Sequence, residues 1–263
     1  MPVNIKAELI KKEELIPGHF KFSVKADDII CDAKPGHFIE IRVNDDIEPF
    51  LRRPISIHNI DRENGILEFI FQVKGKGTTI LSSKIEGDLI DIVGPLGHGT
   101  FEYSDYKNIA IIGGGIGVFP LYELAKNARK EGKKINTYLG FKNKDLVVLE
   151  EEFKAMSDNL TLTTDDGSYS KKGFAIDFLR KDLEDGKIDS IYACGPLPML
   201  RAVRSLAIEK NIPCQISLEE LMACGLGVCL GCAVKTAKSS TEAPEYVHVC
   251  KQGPVFKAEE VEI

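Results

Sequence analysis

The stretch 108-NIAIIGGGIGVFPLYELAKNARKEG-132 decides the fold class, because three conformational signals follow one another in it. Ile109 to Ile112 form a short, unbroken apolar run of the kind a strand makes when both of its faces are covered. Gly113, Gly114, Gly115 and Gly117 then demand a turn. The segment after Phe119 has helical periodicity, with Pro120 at its start and Gly132 at its end. Strand, glycine turn and helix together open an α/β unit, and the pattern continues downstream. The strand-like segments KINTYLGF (134–141), LTLTTDD (160–166) and SIYACGP (190–196) alternate with helical ones. The latter are DLVVLEEEFKAM (145–156), GFAIDFLRKDLED (173–185) and PLPMLRAVRSLAIEKN (196–211). Such alternation predicts a parallel sheet.

The hundred residues before this stretch read differently. HFKFSVKA, GHFIEIRV, PISIHNI, GILEFIFQV and DLIDIVG are short apolar or alternating runs. Turn signals such as Pro35-Gly36, Asn64-Gly65 and Glu86-Gly87-Asp88 separate them, which predicts a sandwich or a small β-barrel. Beyond Pro213 the α/β pattern breaks into a cysteine-rich tail. Three parts follow: a β-barrel, an α/β parallel-sheet domain and a small C-terminal cysteine module.

Composition narrows the function. The chain has 263 residues, enough for two ordinary domains, and a net charge of −6 argues against nucleic acid as a partner. The most apolar window, Ile109 to Leu124, is glycine-rich and too short to span a bilayer, so no membrane is expected. The opening MPVNIKAELIKKEEL alternates apolar and charged residues and reads as a strand, so the expected compartment is the cytoplasm. Stable disulfides do not persist there, so the seven cysteines are read as metal-binding or redox-active. Cys31, Cys194 and Cys214 are too widely scattered to suggest a shared framework.

Glycines at the mouth of a strand-to-helix turn let backbone amides approach a pyrophosphate, and the helix N-terminus adds partial positive charge. The turn here ends in Pro120 where the usual dinucleotide fingerprint has a third glycine or alanine, so a plain tight turn stays open as a reading. Cys194-Gly195-Pro196 stands at the end of a later strand, where open α/β sheets place ligands; a buried structural cysteine is the bland alternative. In the barrel, Arg53 is suited to a phosphate and Ser56 to a ring nitrogen. Gly75, Gly77 and Thr78 lead into a short helix, and GPLGHG (94–99) is a further glycine-rich turn. Singly each reads as a hairpin or surface residue; together they give a small β domain several phosphate-compatible turns.

The cysteine spacing is more specific: Cys224-x4-Cys229-x2-Cys232-x17-Cys250. Structural zinc sites usually pair two short knuckles, and only one is present. The x4, x2, distant-fourth order is the plant-type [2Fe–2S] arrangement. Gly225, Gly227 and Gly231 would let the loop close round an anionic cluster and turn amides toward its sulfurs.

Taken together, LRRPISI, KGKGT, GPLGHG, GGGIGVFP, CGPLPML, MACGLGVCLGCAVKT and VCKQGPVF resemble, in order, the ferredoxin–NADP reductase superfamily. Within it the chain is similar to the electron-transfer subunits of two-subunit (class 1B) dihydroorotate dehydrogenases. The resemblance implies an FAD-binding barrel over 1–101, an NAD-binding α/β domain over 102–213 and a [2Fe–2S] module over 214–263. It implies that Arg53, Pro54, Ile55 and Ser56 line the flavin, with Phe71, Gln72, Val73, Gly77 and Thr78 contacting the rest of it. NADH would lie over Gly113, Gly114, Gly115 and Gly117 beside Gly195 and Pro196, with Cys194 near the nicotinamide. Cys224, Cys229, Cys232 and Cys250 would ligate the cluster. Electrons would pass from the FMN of a dihydroorotate-oxidising partner through [2Fe–2S] and FAD to NAD⁺, in a heterotetramer with two of each chain.

Lys142 and Lys144, after the second α/β strand, stand where an acid selecting for the NAD ribose would be sought; surface charge is the plainer reading. Rival readings are a subunit of a ferredoxin–NAD(P) transhydrogenase or of a sulfhydrogenase. A zinc-stabilised, nucleotide-binding regulatory protein is the alternative of another class.

Overall fold

The computed structural model describes residues 1–184 and 186–263. The N-terminal third is built from β1 (Val3–Ile16), β2 (His19–Lys25), β3 (Phe38–Arg42), β4 (Arg53–Asp61), β5 (Ile66–Gln72) and β6 (Leu89–Leu96). They close a barrel in the order β1-β2-β5-β4-β3-β6, with α1 (Asp27–Ile30) and α2 (Lys76–Ser82) on its connections. Closure leaves no free sheet edge, and alternation turns Leu9, Phe22, Ile39, Ile41, Ile57 and Phe69 into one apolar interior.

The middle of the chain winds β7 (Asn108–Gly114), α3 (Leu121–Lys130), β8 (Lys134–Phe141), α4 (Glu150–Met156), β9 (Asn159–Thr164), β10 (Lys171–Lys172), α5 (Ala175–Glu184), β11 (Ser190–Cys194) and α6 (Leu197–Lys210). The helix expected over 173–185 is observed as α5, and Asp185 lies outside the described residues. The one expected over 145–156 is split into a 3-10 turn at Lys144–Leu146 and α4, because Leu149 takes a left-handed φ of 60° between them.

The sheet runs β10-β9-β8-β7-β11 and then takes in β12 (Cys214–Ser217), parallel to β11, and β15 (Val255–Lys257), antiparallel to β12. Between these two the chain leaves the sheet to form the cysteine loop, β13 (Ala233–Thr236) and β14 (Tyr246–His248). After β15 it adds β16 (Val261–Glu262) to the small sheet β14-β13-β16. The cysteine module is therefore an excursion from the α/β sheet and shares its core. Cys232, Val249, Cys250 and Val261 belong to one apolar cluster with Leu206 of α6 and Phe256 of β15. Among the described residues no helix is long and apolar enough to cross a membrane.

The glycines of GPLGHG serve packing: a Cβ at Gly97 would stand 2.7 Å from the Gly253 carbonyl, and one at Gly99 2.8 Å from that of Gln252. That turn joins barrel to C-terminal strand.

Candidate functional site

The order β9-β8-β7-β11-β12 reverses direction between β7 and β11, and ligands of open α/β sheets bind outside the carboxyl ends of strands at such a switch point. The glycine turn and Cys194-Gly195-Pro196 meet there. A Cβ on Gly117 would stand 2.5 Å from the carbonyl of Cys194, and one on Gly114 2.9 Å from Pro196. Glycine is thus required for the two strand ends to converge, and Gly115 also adopts a left-handed φ of 54°. The Cys194 side chain is buried, and burial pushes its thiol well above the usual range; the Ser217 hydroxyl bonds to it. It is a protonated wall residue, not a thiolate nucleophile.

Beside this crevice lies a cavity of about 230 Å³. β4 supplies Arg53, Pro54, Ile55 and Ser56, β5 supplies Phe71 and Gln72, and α2 supplies Thr78. Of the other residues read from the sequence, Val73 and Gly77 flank it. Val73 packs on the barrel core, and the bare Cα of Gly77 leaves room for the Arg53 guanidinium. The α/β domain contributes Ile116, Phe119 and Pro120 to the opposite wall. A slot with aromatic and aliphatic walls, polar groups at Ser56, Gln72 and Thr78 and a cation at Arg53 fits a flat heteroaromatic ring bearing a phosphate tail.

Leu218, Glu219, Glu220 and Met222 also line this cavity, and two residues later the chain reaches Cys224. Among the described residues no three donors converge as a single-ion site requires. The thiols stand in pairs instead, Cys224 in hydrogen-bonding contact with Cys229 and Cys232 with Cys250. Two thiols for each of two irons is what a [2Fe–2S] cluster needs. Backbone amides already face the sulfurs: Leu226 and Cys229 N–H donate to Cys224 Sγ at 3.4 Å, and Gly227 N–H to Cys250 Sγ at 3.2 Å. Gly225 and Gly227 take left-handed φ values of 66° and 78° to aim them. Although partial burial opposes it, the Cys229, Leu226 and Val228 amides draw the Cys224 thiol down to about 6. The Cys232 and Cys250 pair is buried, whereas Cys229 is exposed.

Some site residues left no mark in the sequence. Glu40 of β3, read only as a strand position, is 1 % exposed, and neither carboxylate oxygen has a hydrogen-bond partner. It lies against Gly225, and burial raises its carboxyl to about 7 even with Arg52 nearby. Lys142 and Lys144 are exposed, and the acids that accompany them come from the third strand. Asp166 N–H donates to the Lys142 carbonyl at 3.3 Å, and Lys144 N–H to Ser168 Oγ at 2.8 Å, setting Asp165 and Asp166 beside the lysines.

A flat slot on a closed barrel, a nucleotide crevice beside it on a parallel sheet and a two-by-two thiol loop leading from the wall of the slot define a reductase of the ferredoxin–NADP reductase class with an added iron–sulfur module. Family models agree part by part. Residues 6–103 match an oxidoreductase FAD-binding domain, 111–205 an oxidoreductase NAD-binding domain, and 219–262 the iron–sulfur cluster binding domain of dihydroorotate dehydrogenase B. The chain belongs to the family of dihydroorotate dehydrogenase B (NAD⁺) electron transfer subunits. It is 38% identical to that of Lysinibacillus sphaericus over 254 residues, covering 95% of each chain. It is 43% identical to that of Geobacillus kaustophilus over 231 residues, covering 87% of this chain and 86% of the relative. Among solved structures, a chain of the NADH-dependent reduced ferredoxin–NADP oxidoreductase superposes with a TM-score of 0.85 at 34% identity, over 98% of this chain and 90% of that one. The cytochrome b5 reductase domain of Ulva prolifera nitrate reductase shares the fold at 19% identity, with a TM-score of 0.64 over 80% of this chain and 94% of that one.

Proposed function

We propose that this chain carries electrons between the FMN of a dihydroorotate-oxidising catalytic subunit and NAD⁺. One observation carries the reading: the segment Leu218–Met222 is at once a wall of the flavin slot and the lead into the first cysteine. Bound FAD and [2Fe–2S] supply the exchange between hydride at a nicotinamide and single electrons at iron. The residues of the chain hold, orient and insulate. Arg53 neutralises phosphate, Ser56 presents a hydroxyl to the ring system, Thr78 holds the turn before α2 through bonds to Lys74 and Gly75, and Phe71 and Phe119 exclude water. Gly113, Gly114, Gly115 and Gly117 bring backbone amides to the dinucleotide, with Gly195 and Pro196 across the crevice and Cys194 as a neutral floor beneath the nicotinamide. Cys224 and Cys229 would hold one iron, and Cys232 and Cys250 the other.

The partner reading is supported by apolar exposure on the cysteine loop: Leu226 is 50%, Val228 79% and Leu230 57% exposed. A face of this kind beside an electron exit fits a protein partner. The reading implies a cytoplasmic complex with two copies of each chain. Isolation of the native complex tests it. FAD, FMN, iron and sulfide should co-purify with dihydroorotate:NAD⁺ activity, and native mass should give the stoichiometry. A ferredoxin-dependent or hydrogenase partner would overturn the assignment, and a colourless, zinc-containing preparation would overturn the cluster.

A further inference from the structure

The barrel and the parallel sheet are distinct layers packed on one another, and the flavin slot has one wall on each. β4 carries Arg53–Ser56 at its start, and its far end, His58 to Ile60, runs under α3. α3 is the direct continuation of the glycine turn and of Ile116, Phe119 and Pro120. The joint between β4 and α3 therefore fixes how the nicotinamide side sits against the flavin side.

That joint is polar and buried. Glu123, in the first turn of α3, is 3 % exposed. Its Oε2 accepts the backbone N–H of Ile60 at 2.9 Å, and its Oε1 accepts from Asn127 Nδ2 at 3.0 Å. Lys126 Nζ lies 2.5 Å from the same carboxylate, donates to the Ile60 carbonyl at 3.0 Å and also bonds to Asn59. One turn earlier, the buried His58 ring donates through Nδ1 to the Phe119 carbonyl at 2.9 Å and lies 4.5 Å from the Tyr122 ring. Apolar contacts alone would let a helix slide along a strand. Bonds from α3 to both the N–H and the carbonyl of Ile60 set its register.

We propose that Glu123 is a positioning residue for hydride transfer, its carboxylate locking the nicotinamide turn to the flavin-bearing strand. This rests on the FAD and NAD reading of the two sites. Hydride transfer depends steeply on the approach of donor and acceptor, so a joint that slips should slow the transfer more than it weakens binding.

The test uses the purified holo-complex under anaerobic stopped flow, following flavin reduction by NADH and the long-wavelength absorbance of nicotinamide stacked on flavin. Glu123→Leu should lower the limiting reduction rate by about tenfold or more, with the NADH dissociation constant changed by less than about threefold, and should weaken the stacking absorbance. Glu123→Gln keeps an acceptor for the Ile60 N–H and should recover most of both. Lys126→Met cuts the second link and should slow reduction by about threefold, which carries the test if the leucine variant does not fold. A wild-type rate and absorbance in Glu123→Leu with only its melting temperature lowered would overturn the proposal, as would wild-type values in Lys126→Met where the leucine variant is lost. Failure of NADH to reduce the flavin of the wild-type complex would instead refute the reading of the sites.

Discussion

Cys229 and Cys232 lie on the same short loop but are placed oppositely. Cys229 is exposed, while Cys232 is 2 % exposed inside the core shared with α6 and β15. Cys229→Ser should therefore abolish the cluster, seen as loss of iron and acid-labile sulfide, while NADH reduction of an artificial acceptor through FAD persists. Unchanged cluster content would show the ligand assignment to be wrong. Cys232→Ser should lose the cluster and also lower the melting temperature, because a hydroxyl replaces a thiol in an apolar cluster. Gly117 permits a second residue-scale prediction. Its substitution by alanine places a Cβ 2.5 Å from the Cys194 carbonyl, and backbone on both sides leaves no flexible side chain to yield. The strand ends must part, so Gly117→Ala should raise the KM for NADH about tenfold or more with FAD content unchanged. An unaltered KM would place the nicotinamide elsewhere.

Among the elements, α2 shows how a short helix can serve a cofactor. Thr78 Oγ1 accepts the N–H groups of Lys74 at 2.9 Å and Gly75 at 3.2 Å, tying down the turn before the helix, and Thr78 also lines the flavin slot. Thr78→Val should cost about 1 kcal/mol of this local order, read as roughly fivefold weaker FAD retention on dilution. Retention at the wild-type level would mean that the turn is held by packing alone. Elements of this kind were legible in the sequence because their signals are local: a glycine turn between strand and helix, RRPIS closing a β segment, the x4/x2 cysteine spacing. What was not legible depends on contact between distant segments. Glu40 is an ordinary strand position until Gly225 covers it, and Glu123 an ordinary helix acid until Ile60, 63 residues away, donates to it. The wall at Leu218–Met222 carries no motif, since it is defined by where β12 ends and the cysteine loop begins. The approach of Asp166, which follows the third strand, to Lys142 after the second is likewise a backbone bond between distant loops.

At the scale of the whole molecule, barrel and sheet meet through apolar contacts, such as Ile70 with Phe119 and Leu121. They also meet through the buried polar joint at β4 and α3, so pH acts on that joint. His58, 3 % exposed, sits in it, and burial brings its imidazole down to about 4, partly offset by the bond to the Phe119 carbonyl. In the unfolded chain the same ring titrates near the ordinary value of 6.5. Between these values the unfolded state binds more protons, so the stabilisation is present above about pH 6.5 and lost progressively as pH falls toward 4. At pH 5 the loss through this group amounts to about 2 kcal/mol. His37 is drawn down to about 4 as well, chiefly by burial, and acts with the same sign. Glu40, raised to about 7 by burial, acts with the opposite sign. Denaturant unfolding at pH 7 and pH 5 should therefore show wild-type stability falling on acidification by the histidine losses less the Glu40 gain. His58→Asn offers an amide donor in place of Nδ1–H but cannot take up a proton, so it should flatten the slope by about 2 kcal/mol while leaving the His37 contribution in place. Equal slopes in the two proteins would mean that the ring is hydrated in solution and that the joint between barrel and sheet is open to water.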